Sequence, residues 1–190
     1  DGKALIVTSS TVASGDVADK FRDVDIPVVN WEQALQDNFM MTGNTGDIDR
    51  GTLGRQYDLE IVDPSHPLAA GLSGIVGVVD LEQTFSWGNP GVDAIPIAQI
   101  PGDPGKFPVY AYETDTPMFD GFIAPARRVM LFMGDPTFEV LSPEGLRLFD
   151  AAIEWAANLA SVPPSFAAPV RQGGGFMLSW TGSGTLEEAS

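Results

Sequence analysis

The chain has no cysteine among its 190 residues and a single histidine, His66. The first absence removes thiol nucleophiles, thiolate metal sites and disulfides together. The second leaves one imidazole for acid–base or zinc chemistry. Basic residues are scarce too: ten Lys and Arg face 26 Asp and Glu, a net charge of −16. Such a surface repels phosphate backbones and anionic lipid, which argues against nucleic-acid and membrane-surface partners. It reads first as a solvated acidic face. No apolar run approaches the ~20 residues needed to span a bilayer, so no membrane insertion is expected. The sequence also lacks a Gly-x-Ser-x-Gly elbow, a glycine-rich phosphate fingerprint and a P-loop lysine. It opens Asp1-Gly2-Lys3 without a methionine, and the expectation is that processing or upstream sequence precedes it.

What is present suits one α/β domain followed by a shorter piece: 44% of residues are hydrophobic, enough for an ordinary core. Ala4-Leu5-Ile6-Val7 is a short apolar run of the kind found in parallel strands covered on both faces. A polar loop, Thr8-Ser9-Ser10-Thr11, follows it, and Ser14 then caps a helix predicted to run to about Val24. Ile26-Pro27-Val28-Val29 is the next strand and Trp31 to about Asn38 the next helix. That rhythm marks an α/β layer architecture. Residues 43–54 read as a Gly, Asp and Thr-rich loop. Tyr57–Val62, Ile75–Val79, Leu81–Trp87, Ile95–Ile100 and Phe107–Glu113 read as short strands separated by Gly/Pro turns, hence antiparallel additions.

The last third is modular. Arg127 to Met133 reads as a buried strand, a Gly-Asp-Pro loop follows, and Ser142-Pro143-Glu144 opens an amphipathic helix running to about Asn158. Residues 161–165 make a Pro-rich linker. Residues 166–190 open a β-sandwich-like module that is not completed, with Phe176, Leu178 and Trp180 alternating as in a half-buried strand. An unpaired Ala4–Val7 edge and an apolar Phe176–Trp180 segment are each expected to be covered by the remainder of the polypeptide or by neighbouring subunits.

Ile61 to Leu72, with its Asp63-Pro64-Ser65-His66-Pro67 turn, and Leu141 through Ala156 resemble the class I glutamine amidotransferase-like domains. The likeness is closest to their trehalose-utilisation (ThuA-like) branch, over roughly residues 1–160. It implies a three-layer flavodoxin-like sheet with antiparallel additions, whose usual first strand–helix–strand unit is expected to be missing from residues 1–160. The C-terminal piece is similar to the opening of Ig-like or fibronectin-like modules in secreted bacterial multidomain proteins. The amidotransferase machinery needs a nucleophilic cysteine, so glutamine hydrolysis by that route is excluded.

Candidate chemistry is sparse. His66 is a candidate base, with Asp63 to orient it and Ser9 or Ser10 as nucleophile, set against a turn role between two prolines. The Ser9-Ser10 loop also stands where ligands enter open α/β sheets. Glu32 follows a strand and is a candidate acid, with Glu113 or Asp115 as partner. Phe85, Trp87 and Tyr112 are candidate sugar-stacking rings, although strand aromatics are more often core. Asp47 and Asp49, with Asn44, share a loop that suits a Ca²⁺ ion, without the EF-hand spacing. Taken together, the expectation is a non-catalytic structural or interaction module without cofactor, extracellular or at the cell surface, whose partners are other modules or subunits. The alternative is a carbohydrate-active or carbohydrate-binding domain.

Overall fold

The computed structural model describes residues 2–159 and, beyond them, four short strand segments. The chain divides into two compact units, Asp1–Ala157 and Asn158–Ser190. The first is built on a mixed seven-stranded sheet and a separate two-stranded one. The large sheet comprises β1 (Ile6–Thr8), β2 (Val28–Asn30), β4 (Asp58–Ile61), β5 (Gly74–Gly77), β7 (Ile95–Gln99), β8 (Val109–Tyr112) and β9 (Arg128–Met130). Their spatial order is β1-β2-β9-β8-β7-β4-β5. Only β1, β2 and β9 run parallel, in the registers Val7↔Val29↔Val129 and Thr8↔Asn30↔Met130. The other four strands pair antiparallel. The second sheet pairs β3 (Arg50–Gln56) with β6 (Gln83–Gly88).

This is a mostly β structure, 20% helical, and not the three-layer flavodoxin-like fold that the sequence suggests. The physical reason lies in the first forty residues. The segment 14–24 has an apolar stripe but carries Gly15, Asp16, Asp19, Asp23 and two valines, all poor helix formers. Only α1 (Ser14–Val17) forms, and Ala18 leaves it with φ 45°. Between Trp31 and Asn38 there is only a 3-10 turn, Gln33–Leu35, too short a span to repay helix nucleation. These irregular segments cover one face of the sheet, around Val28, Leu35, Phe39, Tyr110 and Tyr112. A single long helix, α2 (Pro143–Ala156), covers the other, around Val29, Ile97, Val129 and Leu131.

Helix α2 follows its local signals. Ser142 Oγ accepts from Gly145 N at 3.1 Å, Pro143 occupies the first turn, and Asn158 turns left-handed (φ 53°) just past the end. Gly145, Leu148, Ala152, Trp155 and Ala156 are its buried residues, whereas Leu146 faces solvent. β1 is an edge strand, and its Val7 is 45% exposed rather than covered on both faces. β3 begins inside the stretch read as a loop. Its Gly51 admits the Trp87 ring, which would stand 2.8 Å from a Cβ there. No helix among the described residues is long and apolar enough to cross a membrane.

The second unit contains two antiparallel pairs, β10 (Ser165–Phe166) with β13 (Trp180–Thr181), and β11 (Val170–Gln172) with β12 (Gly175–Met177). Ser165, read as linker, is therefore in a strand. Leu178 and the side chains of Phe176 and Trp180 lie outside the described residues.

Candidate functional site at the carboxyl edge of the parallel strands

Three loops leave the same edge of the sheet: Ser9-Ser10 after β1, Trp31-Glu32 after β2, and Gly134-Asp135-Pro136 a few residues after β9. This is where ligands bind in open sheets containing parallel strands. The floor is tied by Asn30, which is fully buried: Thr8 Oγ1 donates to its Oδ1 (2.7 Å), as does Glu32 N (3.1 Å), and its Nδ2 donates to Glu32 O (3.0 Å). Glu32 is thereby fixed in place, and its Oε1 accepts from Ala34 N at 3.1 Å to cap the 3-10 turn. Burial holds the Glu32 carboxyl above its ordinary value. The Ala34 bond opposes that, the Asp135 charge adds to it, and Arg50 weakly opposes it. Ser10 Oγ is buried without a protein partner.

A raised acid binds more protons folded than unfolded, so between its ordinary value of 4.5 and its folded value stability falls as pH rises. Glu32→Gln keeps the Ala34 acceptor and removes the charge. At neutral pH it is expected to raise the melting temperature by about 1–3 °C, a small figure because the carboxyl is half in water. The gain should shrink to nothing as pH falls towards 4.5. Thermal melts of both proteins across that range check it. A variant less stable at every pH refutes the account.

Beside this edge opens a cleft of about 450 Å³ between the β3–β6 pair and the loop after β9. It is lined by Thr52, Arg55, Glu82, Gln83, Thr84, Ser86, Gly134, Asp135 and Pro136. Its walls are anchored: Ser86 N donates to Phe132 O (2.8 Å), and Thr137 Oγ1 accepts from Gly134 N (3.0 Å), which shapes the turn at Asp135. Nearby, Arg50 Nε lies 2.9 Å from Asp37 Oδ1, close but not aligned as a hydrogen bond, while Arg50 Nη2 donates to Asn44 Oδ1 (3.2 Å).

The structure separates His66 from the serines. The His66 ring packs edge-on against Trp155 at 5.4 Å, and Arg127, stacked over the same ring at 4.3 Å, binds Glu113 at the opening of β9. Ser9 and Ser10 leave the far, closing end of the parallel strands, so no nucleophile–base pair forms. His66 Nδ1 accepts from Leu68 N (3.2 Å), capping the 3-10 turn Pro67–Ala69, and burial pushes the imidazole below its ordinary value. Asp63 turns to Ser65, whose hydroxyl donates at 2.6 Å and holds the carboxyl low. Ser9 Oγ pairs with Thr11 Oγ1 at 2.6 Å in a local turn.

The remaining candidates are also placed. Glu113 is engaged by Arg127 at the opposite edge, so Glu32 faces neither it nor Asp115; the carboxylate that reaches Glu32 is Asp135. Phe85, Trp87 and Tyr112 are buried, at most 3% exposed, and belong to the core rather than a sugar platform. Asp49 Oδ2 accepts from Thr45 N (2.9 Å), and Asp47 takes a left-handed φ of 58°, both shaping the loop before β3. Asn44 is bound to Arg50. Among the described residues no three of His, Cys, Asp or Glu gather as a metal-holding group.

Asp135, Arg55, Glu82 and Gln83 have no place in the sequence reading. Asp135 had a signal, since it follows directly on the apolar run of β9 and so belongs at the carboxyl edge. Arg55 had none, because β3 begins in the stretch read as a loop; Glu82 and Gln83 stand in the Leu81–Trp87 run read as a strand, where no local pattern says what that strand faces. No family model, curated protein or solved structure matches the chain.

Proposed function

We propose that this chain is a non-catalytic interaction module of an exported bacterial multidomain protein, and that the cleft beside the carboxyl edge binds carbohydrate. The observation that carries the reading is the lining: Thr52 and Thr84, Gln83, Glu82, Asp135 and Arg55 bring hydroxyl, amide, carboxylate and guanidinium side chains to one open cleft. Vicinal sugar hydroxyls each need a donor and an acceptor, and this set supplies both. The likeness to the ThuA-like branch favours a sugar ligand. The separation of His66 from Ser9 and Ser10, together with the lack of cysteine, favours binding over acyl-transfer chemistry. The acidic surface and the division near residue 157 fit a module that works beside others in an extracellular protein.

Titration of nitrogen-15 labelled protein with cellotetraose and maltotetraose tests this. The amides of Thr52, Gln83, Thr84, Ser86 and Gly134 are expected to shift together while the oligosaccharides stay intact. Unmoved cleft amides would sink the binding reading. Hydrolysis that disappears in Glu32→Gln would replace it with a glycosidase whose acid is Glu32.

A further inference from the structure

Arg55 is the anomaly of the cleft. Opposite the single residue Thr84 of β6, strand β3 inserts two, Gly54 and Arg55, because Leu53 pairs with Phe85 and Gln56 with Gln83. Such a bulge re-aims side chains, and its left-handed position is normally filled by glycine. Here a glycine stands one position too early, and Arg55 itself carries φ 62°. Left-handed backbone is costly for a residue with a Cβ, and Arg lacks the short polar side chain that eases it for Asn or Asp. The side chain gains nothing visible in return. Arg22, Arg50, Arg127, Arg128 and Arg147 all have acid or carbonyl partners. Among the described residues Arg55 has none, in a chain with 26 acids. Local strain held at a cleft without a structural return points to a ligand contact.

Resting on the carbohydrate reading, we infer that the ligand is a hexuronate-containing saccharide whose carboxylate is held by Arg55. A planar guanidinium matches a carboxylate with two parallel hydrogen bonds. Glu82 and Asp135 line the same cleft and accept from sugar hydroxyls. Their charges penalise a doubly charged phosphate more than a single carboxylate. The net charge of −16 does not reverse this. At physiological salt, charges beyond about 8 Å are largely screened, so the contact pair outweighs the distant acids.

The test compares glucuronate, glucose, glucosamine and glucose 6-phosphate by titration of the full chain, wild type and Arg55→Gly. Wild type is expected to bind glucuronate at least about tenfold more tightly than glucose, a preference worth one bidentate contact. Raising the salt should erode that preference and leave glucose unchanged. Arg55→Gly should abolish it, so that glucose and glucuronate bind alike, and melt no lower than wild type, since glycine relieves the left-handed backbone. A loss of stability in Arg55→Gly would make the residue structural and overturn the inference. So would equal affinity for glucose and glucuronate, or a preference for glucosamine or the phosphate; in those cases glucose binding keeps the carbohydrate reading intact. If no sugar moves the cleft amides, both fall.

Discussion

Replacing Arg128 by methionine is expected to cost about 3–5 kcal/mol of folding stability, a large share of what a domain this size holds. The side chain is fully buried. Its guanidinium donates to five main-chain carbonyls: Nη1 to Ile26 O (3.1 Å), Ala126 O (3.0 Å) and Arg127 O (3.1 Å), Nη2 to Arg22 O (3.1 Å) and Val24 O (2.8 Å). Burial lowers the group to about 10, so it stays charged at neutral pH. The carbonyls replace the water it has lost. Three of them, those of Arg22, Val24 and Ile26, belong to the segment between α1 and β2, which has no ladder or helix of its own to satisfy them. Methionine fills much of the volume and leaves these acceptors stranded, at about 1–3 kcal/mol for each that water cannot reach. Urea unfolding should show a lower midpoint with little change in slope. Trypsin should gain access at Lys20 and Arg22 before global unfolding. A variant within about 1 kcal/mol of wild type would mean that water reaches those carbonyls and that Arg128 pins nothing.

The same residue shows why the sequence was legible in some places and not others. Arg128 stands in an apolar run and the strand is readable there, yet three of the carbonyls it serves lie about a hundred positions away. Helix α2 was legible because its signals are local, from the Ser142 cap to the proline after it. The antiparallel strands other than β3 were legible from the Gly/Pro turns around them. The helix predicted after β1 failed because an apolar stripe was present without helix propensity to support it, and the one after β2 because its span is too short to repay nucleation. There the tertiary solution is an irregular cover stapled by Arg128 and by Gln36, whose buried amide joins Trp87 O (3.2 Å) and Tyr110 Oη (2.7 Å). At the site, Glu32 was readable from its place after a strand. Its neighbour Asp135 and the bulged Arg55 depend on which strands meet, which no local pattern states.

Gly145→Ala should separate helix propensity from packing. By propensity, an alanine inside α2 gains about 1 kcal/mol over glycine. The contact predicts the reverse. A Cβ at Gly145 would stand 2.1 Å from Val78 O and 2.9 Å from Leu141 Cδ2. The first of these is main chain, held where Ser142 N donates to the same carbonyl at 3.0 Å while Ser142 Oγ donates to Gly77 O at 2.8 Å. The opening turn of α2 is thus pressed against the chain just after β5, and the oxygen cannot swing aside without breaking the helix cap. Overpacking of this kind costs about 2–3 kcal/mol net, so the variant should unfold at lower denaturant despite its better helix residue. Gly15→Ala is the matched control: it also lies in a helical turn, but nothing stands within 4 Å of its Cβ. There the propensity term acts alone, and a gain of about 0.5–1 kcal/mol is expected. Opposite signs for the two substitutions in parallel urea titrations support the packing account. A gain at both positions would mean that α2 slides away from Val78 at little cost, and that Gly145 is not what sets the approach of helix to sheet.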